Sequence, residues 1–170
     1  FSAPGIDFKI RKPFFDIPDP SKSKEEDLKK AACPASFIEM TLNNNIDEIC
    51  EGIFGIQGGR QGVTPWTPLS NRRNLKGQIS HNKIGFASDT KGVEEFNDFG
   101  IEEALSRYHK TPKFLLGPIG GLSFKVSPGE NKTVRIALGY FKNKIVTVNR
   151  ETYYWYTLYF NSIDSVLSFA

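Results

Sequence analysis

Apolar and polar positions alternate most cleanly over residues 35–45. Ser36, Ile38, Met40 and Leu42 fall on one face there, and Phe37, Glu39 and Thr41 on the other. A period of two predicts a half-buried strand. A second clean alternation runs from Thr133 to Phe141, with Val134, Ile136, Leu138 and Tyr140 on one face. Leu122, Phe124 and Val126 alternate in the same way, and residues 6–15 and 84–88 also read as strands. Cys50 to Gln57 is a further strand built on Ile53, Phe54 and Ile56, weakened by Gly52 and Gly55. The turn Asn43-Asn44-Asn45 lies between it and the 35–45 strand, so the two are expected to pair antiparallel.

Helical signals are few. Ser23 with Glu26 forms a capping-box pattern that opens a charged helix over residues 24–32, ended before Pro34. Residues 100–109 read as a short helix. Ser162 is placed to cap a last one, in which Ile163, Val166, Leu167 and Phe169 follow helical spacing. Ile17-Pro18-Asp19-Pro20 and residues 127–131 are turns, and Gly58 to Leu75 reads as one long loop. Strands joined by turns, with two or three short helices, predict a mainly β fold, an antiparallel β-sandwich.

Composition sharpens this picture in places. The 170 residues are 39% hydrophobic and 24% charged, ordinary for a globular chain, and the 13% aromatic content favours pleated surfaces. The net charge of +3 is spread without a basic stripe, so no nucleic-acid partner is expected. The run from Lys22 to Lys30 mixes both signs, as a solvated helix face does. No apolar run reaches the ~18 residues of a membrane span. No signal peptide is visible, which leaves the location open and favours a bacterial cytoplasm. Cys33 and Cys50 read as thiols buried in neighbouring strands rather than as a disulfide. Both ends read as cut, because a strand begins almost at Phe1 and no stop signal precedes Ala170.

Candidate chemistry is sparse. None of the 19 acidic residues falls into a pair marked by a motif, and Asp47, Glu48 and Glu51 read as a charged hairpin tip. His81 and His109 lack ligand spacing, so no metal and no cofactor is expected. Gly58 to Gly62 lacks the Lys-Ser/Thr of a phosphate loop and reads as turn chemistry. Asn131-Lys132-Thr133 matches the glycosylation acceptor triplet, a pattern common by chance. Trp66, Asn71, Arg72 and Arg73 are the candidate substrate-binding residues. A flat ring can stack on the apolar face of a sugar while polar neighbours meet its hydroxyls. The alternative is that Trp66 anchors the loop on the core. The aromatic run Tyr153 to Tyr156 with Tyr159 and Phe160 reads as core or interdomain packing, since Tyr156, Tyr159 and Phe160 share a helical face.

Several stretches, taken in order, carry a resemblance. They are Ile17 to Pro20, Lys24 to Lys29, Pro34 to Leu42, Gly52 to Ile56, Arg72-Arg73, Gly85 to Ser88 with Lys91-Gly92-Val93, Gly117 to Leu122, Pro128 to Thr133, and Tyr154 to Phe160 with Val166. Together they resemble the N-terminal region of the family 52 glycoside hydrolases, over roughly residues 17–170. The match is poor over Gly58 to Leu75 outside the paired arginines and over Asn143 to Val148. The family's enzymes are retaining β-xylosidases in which an N-terminal β-sandwich packs on a helical (α/α)₆ barrel holding both catalytic carboxylates. The resemblance therefore implies a partial, supersandwich-like domain over residues 1–161, with residues 162–170 beginning a linker helix toward the barrel. None of the family's catalytic positions maps onto this chain, so no catalytic residue is expected. The implied partners are the C-terminal catalytic barrel of the same parent chain, xylo-oligosaccharide, and a second parent chain in a homodimer. A free-standing carbohydrate-binding module and a structural assembly domain are the alternatives.

Overall fold

The structure, a computed structural model, describes residues 2–3, 5–13, 16–57, 66–70, 74–100, 117–143 and 150–170. Its strands are β1 (Ser2–Ala3), β2 (Ile6–Arg11), β3 (Ala35–Asn43), β4 (Cys50–Gln57), β5 (Trp66–Pro68), β6 (Lys76–Ser80), β7 (Ile84–Ser88), β8 (Val93–Asp98), β9 (Ile119–Val126) and β10 (Asn131–Tyr140). Helix α1 (Glu25–Ala32) precedes β3. A 3₁₀ turn (Trp155–Leu158) and helix α2 (Ile163–Phe169) follow β10. The strands form two antiparallel sheets, one of seven strands ordered β1-β2-β3-β10-β7-β6-β5 and one of three ordered β4-β9-β8. This is the expected antiparallel β-sandwich. Among the described residues no helix is long and apolar enough to cross a membrane.

The alternating strands behave as their pattern dictates. β3 and β10 pair along their whole lengths, bringing Met40 opposite Val134 and Ile38 opposite Ile136. These four side chains are buried on the inner face with Phe86, Leu122, Phe124 and Val126. The outer face of the large sheet is covered by the C-terminal elements. Ile163, Val166 and Leu167 of α2 pack with Ala35, Ala87, Phe141, Tyr156 and Phe160 in a second core. Lys29 of α1 lies 4.6 Å from the centre of the Phe169 ring, tying the two helices together. Tyr156 and Phe160 thus serve as core.

Four local expectations are corrected. β4 does not pair with β3; it pairs with β9 in the other sheet. Residues 44–49 are therefore a crossover between sheets and not a hairpin. Asn44 holds that crossover from inside, its Nδ2 donating to Glu48 O and Val126 O, so the Asn-rich signal marked a change of sheet. Asp47 and Glu48 sit exposed on the crossover, not on a hairpin tip. At α1 the N-cap is Lys24 with no side-chain capping bond, so Ser23 does not close a capping box. Asp19 captures the turn before the helix instead, accepting from the Ser21 amide and hydroxyl. At α2 the expected cap is present: Ser162 Oγ accepts from Ser165 N, and Ser165 completes a reciprocal box. The stretch from Gly58 to Leu75 is not all loop, because Trp66–Pro68 adds β5 to the edge of the large sheet. The expected helix over residues 100–109 lies outside the described residues.

Cys33 and Cys50 are both free, as expected, but they do not lie in neighbouring strands. Cys33 follows α1, and Cys50 opens β4. Burial pushes the Cys33 thiol up to about 11, with nearby Lys29 opposing the shift. The folded state thus favours the neutral thiol. Its contribution to stability is complete below the ordinary value of 9.0 and is lost as pH rises through about 11. Melting curves recorded from pH 8 to 11 should fall more steeply for the wild type than for Cys33→Ala. Equal slopes would show that the thiol titrates as freely as it does in the unfolded chain.

Candidate functional site

Among the described residues, a buried polar assembly stands where β6 of the large sheet meets β8 of the small one. Gln78 and Asn97 are both buried, the former completely. Gln78 Nε2 donates to Asn97 Oδ1 at 2.7 Å and to Phe96 O at 3.3 Å. One residue away, the Gly77 amide donates to Glu95 Oε1 at 2.7 Å. These bonds stitch the two sheets together along an edge that apolar side chains close elsewhere. The Phe96 carbonyl fixes the orientation of the Gln78 amide, since reversal would turn oxygen toward oxygen, and Asn97 must follow. Gln78 Oε1 and Asn97 Nδ2 are left without partners.

Trp66 closes this corner. It is 3% exposed, its Nε1 donates to Pro118 O at 3.0 Å, and its ring lies 5.2 Å from Phe86. Gly120 on β9 lets the ring approach the backbone. A Cβ there would stand 2.5 Å from both the indole and Gln78 Oε1. The ring is therefore packed on its inner side and presents no open platform. Of the other candidate substrate contacts, Asn71, Arg72 and Arg73 lie outside the described residues.

Sequence reasoning missed the buried Gln78, Asn97 and Asp98. Asp98 ends β8 and is 1% exposed, with Oδ1 accepting from the Phe99 amide at 2.7 Å. Gly117 lies against its carbonyl with φ +137°. The stretch leading to Asn97 and Asp98 carries no strand signal: in Val93-Glu94-Glu95-Phe96 the two apolar residues are three apart amid carboxylates, a spacing without a period of two.

Three grooves on the described surface can be compared with the needs of hydrolysis. One, beside the end of α2, is lined by Phe37, Arg135, Leu167 and a single carboxylate, Asp89. The second, at the β6–β7 turn, contains His81, Asn82, Lys83, Lys142 and Tyr140 and no carboxylate. The third, on the other side of Tyr140, has Lys12 as its charged residue. A retaining glycosidase places two carboxyl groups ~5–5.5 Å apart. None of these three grooves holds a pair. Among the described residues no group of three or more His, Cys, Asp or Glu is placed to hold a metal ion.

Comparison with known proteins supplies the context this geometry lacks. The family model described as Glycosyl hydrolase family 52 matches residues 1–170. The chain is 30% identical over 176 residues to a beta-xylosidase from Geobacillus stearothermophilus, covering 100% of this chain and 24% of that protein. It is 28% identical over 183 residues to another beta-xylosidase from that organism, covering 100% of this chain and 28% of the relative. The chain thus spans about a quarter of the length of these curated relatives.

Proposed function

The chain belongs to glycosyl hydrolase family 52, and we propose that it serves a β-xylosidase of that family as a non-catalytic β-sandwich bracing a helical catalytic barrel of the same parent chain. On this reading residues 1–161 form sandwich, and residues 162–170 lead toward the barrel. One observation carries it: the family match runs through all 170 residues, while the described grooves hold at most one carboxylate each. The nucleophile and the acid/base of a double displacement would then come from elsewhere in the parent.

Two contacts support this reading. Helix α2 is held at its start by Asn82 Oδ1, which accepts from the Ile163 amide at 2.9 Å. Asp164 accepts from the Ser70 amide at 2.8 Å, coupling the same helix to the segment after β5. Anything joined to α2 is therefore oriented by the rigid sheet beneath it. Asn71, Arg72 and Arg73, which follow Ser70 in the sequence, would provide this domain's contact with xylo-oligosaccharide, with Trp66 as its anchor.

The test is an assay of the 170-residue chain on an aryl β-xyloside beside the full-length parent. The parent is expected to turn over, and the chain is expected to stay at the buffer rate. Turnover by the chain, abolished by replacing one of its own carboxylates, would overturn the non-catalytic assignment.

A further inference from the structure

The large sheet is wider than the small sheet that covers it, and the uncovered end of its inner face has a definite chemistry. Cross-strand register puts Tyr140, Ile84, Ser80 and Trp66 in one row on that face. Trp66 and Ser80 are buried at one end of the row, whereas Tyr140 is 47% exposed at the other. Two open grooves meet at Tyr140. One has an apolar floor of Pro34, Ile84 and Leu138 with Ser36 and Lys12 beside it, and a volume of ≈ 290 Å³. The other, of ≈ 380 Å³, is lined by His81, Asn82, Lys83, Lys142 and Asn143.

The linings are one-signed. Their fully charged side chains are Lys12, Lys83 and Lys142, and neither groove contains an aspartate or glutamate. The chain as a whole carries 22 basic and 19 acidic residues, so this is a local property. The frame behind the lysines is fixed. The Lys142 amide donates to Tyr156 Oη at 2.9 Å, and the Phe141 amide donates to Lys83 O at 2.7 Å. His81 and Asn82 both have φ 51°, a conformation seen in tight hairpin turns, and Asn82 is tied down by α2. Pre-organised polar groups around an exposed aromatic ring are what a small polar ligand needs, because little ordering entropy remains to be lost on binding.

We propose that this double groove binds a carboxylate-bearing saccharide. Tyr140, Ile84 and Leu138 meet the apolar faces of successive sugar rings. Ser36, Asn82 and Asn143 meet hydroxyls, and the ammonium groups take the carboxylate in charge-assisted hydrogen bonds. Neutral sugars satisfy the first two sets and offer the ammonium groups no carboxylate. Such binding is independent of hydrolysis, and it stands or falls apart from the role of the parent enzyme.

The experiment is calorimetric and NMR titration of the 170-residue chain. The probes are a xylo-oligosaccharide bearing one glucuronate, the neutral oligosaccharide of equal length, and inorganic phosphate. The acidic oligosaccharide is expected to bind at least about tenfold more tightly than the neutral one, with the advantage shrinking as salt is raised. Its shift perturbations should centre on Tyr140 and Lys83. Lys83→Gln with Lys142→Gln should remove most of that advantage, and Tyr140→Ala should weaken both sugars. These side chains are exposed or line open grooves, and circular dichroism will show that the variants keep the fold. Equal binding of the two sugars, no binding at 10-millimolar order, displacement by equimolar phosphate, or unchanged affinity in the lysine double variant would each overturn the proposal.

Discussion

Trp66→Ala is expected to destabilise the protein by about 3–5 kcal/mol, the range for removing a large aromatic side chain from a core. In a chain of this size that lowers the melting temperature by roughly 6–20 °C. Several losses add in one direction. The ring is buried against Phe86 and the Gly120 backbone, so alanine leaves a cavity that neighbouring strands can close only in part. Pro118 O loses its indole donor. β5 is three residues long and pairs on one side only, with β6, and Trp66 is its one fully buried side chain, so the indole is a large part of its anchorage. Thermal melts of the wild type and of Trp66→Ala and Trp66→Phe make the measurement. Phenylalanine is expected to recover part of the packing without the hydrogen bond. A Trp66→Ala protein that melts within a degree or two of wild type would show that the indole is not the keystone of this corner.

The same residue shows where sequence reasoning reaches its limit. Trp66 stands among prolines and polar residues, a setting that reads equally as a sugar-facing loop or an anchored one, and only the packing shows that its ring is buried. Strands β3, β7 and β10 were legible because one of their faces is apolar and period two is then visible. β6 was not, because its inward residues Gln78 and Ser80 are polar and its neighbour Gly77 carries no side chain. That glycine is needed where it is, since a Cβ would collide with the Phe86–Ala87 backbone of β7. β8 was hidden for a related reason: Asn97 and Asp98 are buried, so its burial pattern does not follow hydropathy. Of the two glycines that weaken the β4 pattern, Gly52 has a ring lying over it: Phe124, its partner in register, covers it, as Phe96 covers Gly121 of β9. Pairing of β4 with β9 across more than sixty positions of sequence lies beyond any local pattern. Membership of the family was legible because it depends on the order of many weak segments, none of which needs the sheet partners to be known.

Gln78→Met is expected to produce the second large effect, about 2–4 kcal/mol of destabilisation. Methionine preserves volume and the unbranched shape, so cavity formation is minor. What changes is the hydrogen bonding across the sheets. The wild-type Nε2 serves both Asn97 Oδ1 and Phe96 O, and its removal strands two acceptors where water is excluded. A buried group that loses its partner contributes a penalty of about 1–3 kcal/mol. The variant also removes the unpartnered Gln78 Oε1, which trims the loss. Asn97→Leu alone is expected to destabilise less, because it discards an amide whose Nδ2 already lacks a partner. The double variant decides between a polar stitch and simple packing. Combined with Gln78→Met, Asn97→Leu removes the stranded oxygen, so the pair should be more stable than the sum of single effects by about 1–2 kcal/mol. Urea denaturation of the four proteins at one pH gives that coupling. Strict additivity would mean that the 2.7 Å bond between these amides contributes nothing to holding the small sheet on the large one.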